Sequence, residues 1–299
     1  MLNATKTSQI EHQPAPKLFE GERNLVITGL IGFLLSAGIA IFIYFNGPAI
    51  GPEGNMKDAF SFNAAIGMFI LSIAAVLPLT RFSDRKRKTV RWFFIIASMY
   101  SYTIETLQNF RGFNPRFSRE GTVVDIAAGM LFGVISLVLV SLTIVLMIHF
   151  FRMKRPFERP LLMIGIRYAF VSVLAANLAG IWMILLQDRL TGGAGNIIVL
   201  HGIGFHALQT LILPALILER ARLNVNIKKR LIHTGCIAWI LMILTISIQT
   251  ALGQSVFQLT PLPILAFVFL LIWFATVVIS LLKIDFHFFQ QIIVSFKNN

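Results

Sequence analysis

The chain has 299 residues, of which 56% are hydrophobic and only 13% charged, with a mean hydropathy of +0.77. Long apolar runs at this density exclude an ordinary soluble domain and imply a polytopic membrane protein, because about 20 apolar residues cross the hydrocarbon of a bilayer. The formal net charge of +13 would suit a nucleic-acid binder, but its distribution along the chain argues against that class.

Residues 1–24 are rich in Gln, Pro and charge and read as a polar tail. Eight apolar runs follow: Leu25–Phe45, Phe62–Thr80, Trp92–Phe110, Val123–Phe150, Ile164–Gln187, Ile197–Leu218, Leu231–Leu252 and Leu262–Leu282. A backbone in lipid must satisfy its own hydrogen bonds, so each run is expected to be a helix. The expected fold is an all-α polytopic membrane bundle of about eight transmembrane helices over residues 25–283. The first span reads as retained, since a cleaved leader would start with a short basic region and a shorter apolar core. Residues 284–299 form a second tail, read either as an amphipathic interfacial helix or as a continuation of the last span. The connections leave no room for a separate soluble domain. The single cysteine, Cys236, lies within a span and reads as packing.

The Lys and Arg residues alternate sides when assigned to successive loops. One side collects 20 of the 26, including Arg81–Arg91, Arg152–Arg159 and Arg220–Arg230. The other side collects 5, namely Lys57, Arg111, Arg116, Arg119 and Arg189, and Arg167 stays within a helix. This is the positive-inside pattern, which predicts both termini on the cytoplasmic side. The basic loops, Arg85–Lys88 among them, then hold topology and touch anionic lipid rather than nucleic acid.

A weak internal repeat is visible. Ala64–Phe69 parallels His201–His206, Leu77-Pro78 parallels Leu213-Pro214, and Gln108–Gly112 parallels Gln249–Gly253. One reading is a four-plus-four duplication in the same orientation. Chance similarity between Leu-, Ile- and Gly-rich helices is the other.

With this topology, polar residues gather in one leaflet. Glu105 and Gln108 fall in the outer half of the third run, and Asp125 at the outer start of the fourth. His201, His206 and Gln209 fall near the outer start of the sixth, and Gln249 and Gln254 at the outer end of the seventh. At 100° per residue, Ser98, Ser101, Tyr102, Glu105, Gln108 and Asn109 share an arc of roughly 120°. One face of the third helix is therefore polar. Polar side chains at membrane depth are costly and are functional by default.

Each candidate has a structural and a functional reading. Glu105 is either an ion-pair partner of His201, His206 or Arg111, or a proton carrier, metal ligand or ligand anchor. Asp125 is either a helix N-terminal charge favoured by the dipole or part of the site. His201 and His206 are candidate metal ligands, but their spacing of five opens an angle of about 140°, unlike the usual i, i+4 pair. Haem through one axial imidazole, proton handling and plain hydrogen bonding stay open. The Arg111–Phe117 loop reads as an interfacial anchor or as a cover for an anionic ligand. Phosphate-binding loops, nucleophile elbows and zinc-protease helices are absent from the sequence.

The strings Glu105–Gly112, Phe113–Phe117, Asp125, His201–Gln209 and Gln249–Gln254 together resemble a family of uncharacterised bacterial multi-pass integral membrane proteins. The resemblance covers the third to seventh runs, and the string His201-Gly-Ile-Gly-Phe-His-Ala-Leu-Gln209 is its most specific part. Phe113–Phe117 fits loosely, with an arginine where a smaller polar residue is expected. The family implies a bacterial plasma-membrane location and no particular chemistry. The four-plus-four layout is also similar to that of haem A synthases, but the paired histidines required in both halves are missing. The expectation is a polar His/Glu/Gln site in the outer half that binds a small molecule, a metal or a cofactor such as haem. Proton-coupled transport and metal-dependent catalysis are the alternatives.

Overall fold

The computed structural model describes residues 16–154 and 158–284. The expectation of an interfacial helix after Lys283, and most of the N-terminal tail, lie outside the described residues. The first part of the chain forms α1 (Arg23–Asn46), a short hairpin of β1 (Ala49–Ile50) and β2 (Gly54–Asn55), α2 (Met56–Val76) with a 3-10 turn at Leu77–Thr80, α3 (Asp84–Phe110) and α4 (Val123–Arg152). The second part forms α5 (Pro160–Leu186), a hairpin of β3 (Leu190–Thr191) and β4 (Gly195–Asn196), α6 (Ile197–Thr210), α7 (Ile212–Arg220), α8 (Val225–Ala251) and α9 (Pro261–Leu282). The fold is an all-α polytopic bundle.

Among the described residues, 7 segments are long and apolar enough to cross a membrane, with α2 and its 3-10 turn, and α6 with α7, counting as one each. The remaining long helix, α3, is too polar for that composition, yet it runs the length of the bundle. At one end its Arg87 and Arg91, one turn apart, hold the buried carboxylate of Glu22 at 2.5 and 2.6 Å. At the other end the Asn109 side chain accepts from the Asn55 N–H at 2.8 Å. The basic run from Arg85 is thus the first turn of a helix and, in part, a clamp on α1, rather than only a charged loop.

The bundle is a tandem structural repeat. The helices α3 and α8 both contain 27 residues, and their ends are displaced by a constant 141 positions, the distance from Gly112 to Gly253. The main hairpin contacts repeat at that offset. The Met56 N–H donates to Pro48 at 2.7 Å and the Ile197 N–H to Arg189 at 2.9 Å. Asn55 and Asn196 cap the following helices by accepting from the N–H groups of Lys57 and Ile198. The carbonyls of Gly112 and Gly253 accept from Glu53 and Ala194 at 2.7 and 2.9 Å. Both glycines have positive φ, 84° and 70°, which residues with a Cβ rarely adopt.

This register agrees with the pairing of Gln108–Gly112 and Gln249–Gly253 read in the sequence but not with the pairing drawn through the histidines. His201 is equivalent to Phe60 rather than Ala64, and His206 to Ala65 rather than Phe69. The slip is four residues, about one helical turn, so it keeps apolar positions on nearly the same face. String similarity within a helix is blind to such a shift, whereas the hairpins and caps fix it.

The sixth apolar run is not one continuous helix. Pro214 lacks the N–H that would bond the carbonyl of Thr210, and the helix breaks at Leu211. The freed carbonyl accepts instead from the Trp273 indole Nε1 at 3.0 Å. In the first unit the break comes later, at the 3-10 turn containing Pro78. The units meet where α2 faces α6, with Phe69 and Phe205 ring centroids 5.2 Å apart, and where Asn177 of α5 donates to Thr143 of α4 at 2.7 Å. Arg167 caps the C-terminal end of α4 by donating to the carbonyls of Phe150 and Met153, both at 3.0 Å.

Candidate functional site

The two hairpins and the loops after α3 and α8 all lie at one end of the bundle, opposite the basic end. The polar face of α3 points inward there. Ser98, Ser101, Tyr102, Glu105, Gln108 and Asn109 are all buried, whereas Thr103, Leu107 and Phe110 are exposed. The face follows from helical spacing, but the partners do not.

Glu105 is fully buried. Its Oε2 accepts from the Arg116 guanidinium at 2.7 Å. Asn109 donates to its backbone carbonyl at 2.8 Å. The ion-pair partner is thus Arg116, not Arg111, His201 or His206. The loop after α3 folds back over the helix end and delivers Arg116 between two rings, 5.0 Å from Phe62 and 5.7 Å from Phe132. Arg111 is turned elsewhere by its position at the helix C-cap, and it donates to Asp125 at 2.5 Å and to Gln108 at 3.0 Å.

Asp125 acts as an N-terminal cap. Its Oδ2 accepts from the N–H and hydroxyl of Thr122 at 2.9 and 2.7 Å, and its Oδ1 accepts from Gln108 at 3.0 Å. Gln108 thereby ties α3 to the start of α4. Gln249, its equivalent, ties α8 to the following loop by donating to Ser255 at 3.0 Å and Thr260 at 3.3 Å. These two amides anchor loops in both units. Gln254 is exposed.

Glu53, on the first hairpin, organises the same loop from outside. It accepts from the Ser118 hydroxyl at 2.5 Å and from the N–H groups of Arg119 and Asn114 at 2.7 and 3.2 Å. Its partial desolvation would raise the carboxyl pKa, but these hydrogen bonds outweigh it and hold the group below its ordinary value. Glu53 does not stand out in the sequence, and Arg116 shows there only as an unexpected arginine in a loop, because both lie in polar connections whose folding back is a tertiary event.

The histidines take separate partners. His201 donates from Nδ1 to the Ala176 carbonyl at 2.8 Å. Its ring fits against Gly180, where an added Cβ would lie 3.0 Å from the imidazole, and 4.9 Å from the Phe205 ring. A histidine anchored in this way keeps Nε2 for a ligand or proton. His206 is on the bundle surface, 3.4 Å from the Gln209 side chain, and Gln209 donates to Ser72 of α2. The two imidazoles do not converge. Among the described residues, no group of three or more His, Cys, Asp or Glu side chains is placed to hold a metal ion.

Close helix approach locks this end of the second unit. An added Cβ at Gly204 would lie 2.8 Å from the Ala176 methyl. The Gly204 carbonyl accepts from Ser172 at 2.9 Å, and Ser172 in turn accepts from the Trp239 indole at 3.2 Å.

Comparison with protein-family models, curated proteins and solved structures finds no match.

Proposed function

We propose that this membrane protein binds a small polar molecule in the half of the bundle that carries the hairpins, with Glu105 as the principal binding group. The observation that carries this reading is an internal control. At the 141-residue offset, Ile246 occupies the place of Glu105, and Trp239, Met242 and Ile243 replace Ser98, Ser101 and Tyr102, all buried. The same helix packing is therefore built without a carboxylate. A buried ion pair is often no more stabilising than apolar residues of similar volume, so packing gives no reason for Glu105. Intramembrane acids are functional by default.

The Lys and Arg asymmetry orients this end outward, with the basic end and both termini cytoplasmic. The resemblance noted in the sequence makes the membrane a bacterial plasma membrane. His201, with Nδ1 anchored and Nε2 left for a ligand or proton, lies in the same half of the bundle. A bound metal or haem would have only this imidazole as a clear ligand, so a small-molecule ligand is preferred. Proton-coupled transport is a second reading, favoured by the helix break at Leu211 in the middle of a span. Broken spans near the midplane are where many transporters hold substrate.

The test is thermal unfolding of the full-length protein in lipid nanodiscs with panels of small organic cations, anions and neutral polar molecules. A ligand at one hundred times its Kd stabilises by about 2.7 kcal/mol. Saturable stabilisation of the wild type by one class, lost in Glu105→Gln, is expected. No stabilisation by any class, or stabilisation that persists in Glu105→Gln, rejects the reading.

A further inference from the structure

We infer that Glu105, Phe62 and Phe132 form a site for a small organic cation with N–H groups, a guanidinium or a primary amine, and that the Arg116 side chain is a tethered stand-in for that ligand. The inference rests on the reading of Glu105 as a binding carboxylate. It adds the ligand class and the reason the site is closed.

The chemistry around the guanidinium is that of a cation receptor. A carboxylate lies 2.7 Å away and two aromatic faces lie 5.0 and 5.7 Å away, inside the roughly 6 Å range of cation–π attraction. Any molecule that displaces Arg116 must bring its own positive charge. Otherwise a fully buried carboxylate is left unpaired, which costs several kcal/mol. Anions and neutral molecules fail this requirement.

The cation already present is exchangeable in principle. Arg116 belongs to a loop, and its side chain keeps 28% exposure while the Glu105 side chain has none. The loop backbone has its own fastenings. The Asn114 side chain accepts from the N–H groups of Arg116 and Phe117 at 3.0 and 3.1 Å, and Glu53 holds Asn114, Ser118 and Arg119. The guanidinium can therefore swing out by rotation of its own side chain while the loop stays in place.

The same helices carry unpartnered polar atoms. Asn63 follows Phe62 on α2 and donates to Thr106, the neighbour of Glu105, at 2.9 Å. Its Oδ1 is buried with no protein partner, as is the Tyr102 hydroxyl on the inward face of α3. Buried polar atoms nearly always have a partner, and an N–H donor on a bound cation would supply one. The second unit lacks the carboxylate and the α2 ring. Ile203 stands at the place of Phe62 and Ile246 at that of Glu105.

Binding of isotopically labelled methylguanidinium to the full-length protein in nanodiscs tests this, with chloride concentration held constant. A tethered competitor acts at an effective concentration of about millimolar, so the wild type should bind saturably but weakly. Arg116→Ala should bind at least about tenfold more tightly, and Glu105→Gln/Arg116→Ala should not bind. Arg116→Gln, which removes the charge but keeps a hydrogen-bond donor, is the second variant and should also bind more tightly. Absence of saturable binding to the wild type overturns the inference, even if Arg116→Ala binds, because Arg116 is then a permanent strut and the variant merely a hole. Equal affinity in the wild type and a folded Arg116 variant overturns it as well. Glu105-dependent stabilisation by an anion or neutral molecule alone would leave the binding reading intact and remove the cation. No effect by any class would remove both.

Discussion

The two four-helix units use one backbone plan for different ends. Both start at the basic end, turn through a two-residue-strand hairpin whose asparagine caps the next helix, go back to the basic end, and reach the hairpin end again along a helix of 27 residues. The first unit places a buried carboxylate on the inner face of that helix, and the second places Ile246 there. The second unit instead carries His201 and His206, and a helix that breaks at Leu211. What is common to both units, the glycine–hairpin contact and the Gln108 and Gln249 loop ties, is what the fold needs. What differs is the better guide to function.

The strongest way to break this comparison is to convert the first unit to the chemistry of the second. Arg116→Leu should destabilise by about 3–5 kcal/mol, because it strands a buried carboxylate. Adding Glu105→Ile should recover most of that loss, since Ile246 is tolerated at the equivalent place. Denaturant unfolding in mixed micelles reads both values. A double variant as unstable as Arg116→Leu would make the ion pair a structural element.

Gly204→Ala probes the second unit. The added methyl meets Ala176 at 2.8 Å and the Ser172 carbonyl at 3.1 Å. Overpacking of this kind typically costs about 1–3 kcal/mol, and the Ser172–Gly204 bond should weaken with it. Wild-type stability in this variant would mean that α5 and α6 do not need their close approach.

Acid should separate the two loops. Glu53 has a depressed pKa in the folded protein, so its stabilisation is complete above the ordinary carboxylate value of 4.5 and is lost as pH falls through the lower folded value. Amide protection at Asn114, Ser118 and Arg119, corrected for intrinsic exchange, should fall as pH drops below 4.5. The second unit has Ala194 in place of Glu53, and its loop at 252–260 should show no matching loss. Equal acid sensitivity in the two loops would contradict the role given to Glu53.

The smallest expected effects distinguish the histidines. His201→Phe, which copies Phe60, loses one hydrogen bond and should cost about 0.5–1.5 kcal/mol. His206→Gln sits on the surface and should change stability by less than about 0.5 kcal/mol. The reverse order would mean that His206, not His201, belongs to the packed region.

Much of this was legible in the residues. Apolar run length dictates helices in a bilayer, and period 3.6 puts Ser98, Tyr102 and Glu105 on one inward face. The Gln-to-Gly strings at the ends of α3 and α8 mark a true repeat. The register of the histidine-bearing helix within that repeat was not legible, because helices slipped by about one turn look alike. Only hairpin pairing and capping decide it. The same limit applies to the site. Sequence spacing fixes which residues share a helix face, since that geometry is local. It cannot say that a loop 11 residues further on returns to neutralise Glu105, that Trp273 takes the carbonyl freed by Pro214, or that His201 and His206 turn to different neighbours. Those choices depend on which elements lie side by side, and that is settled only when the whole bundle packs.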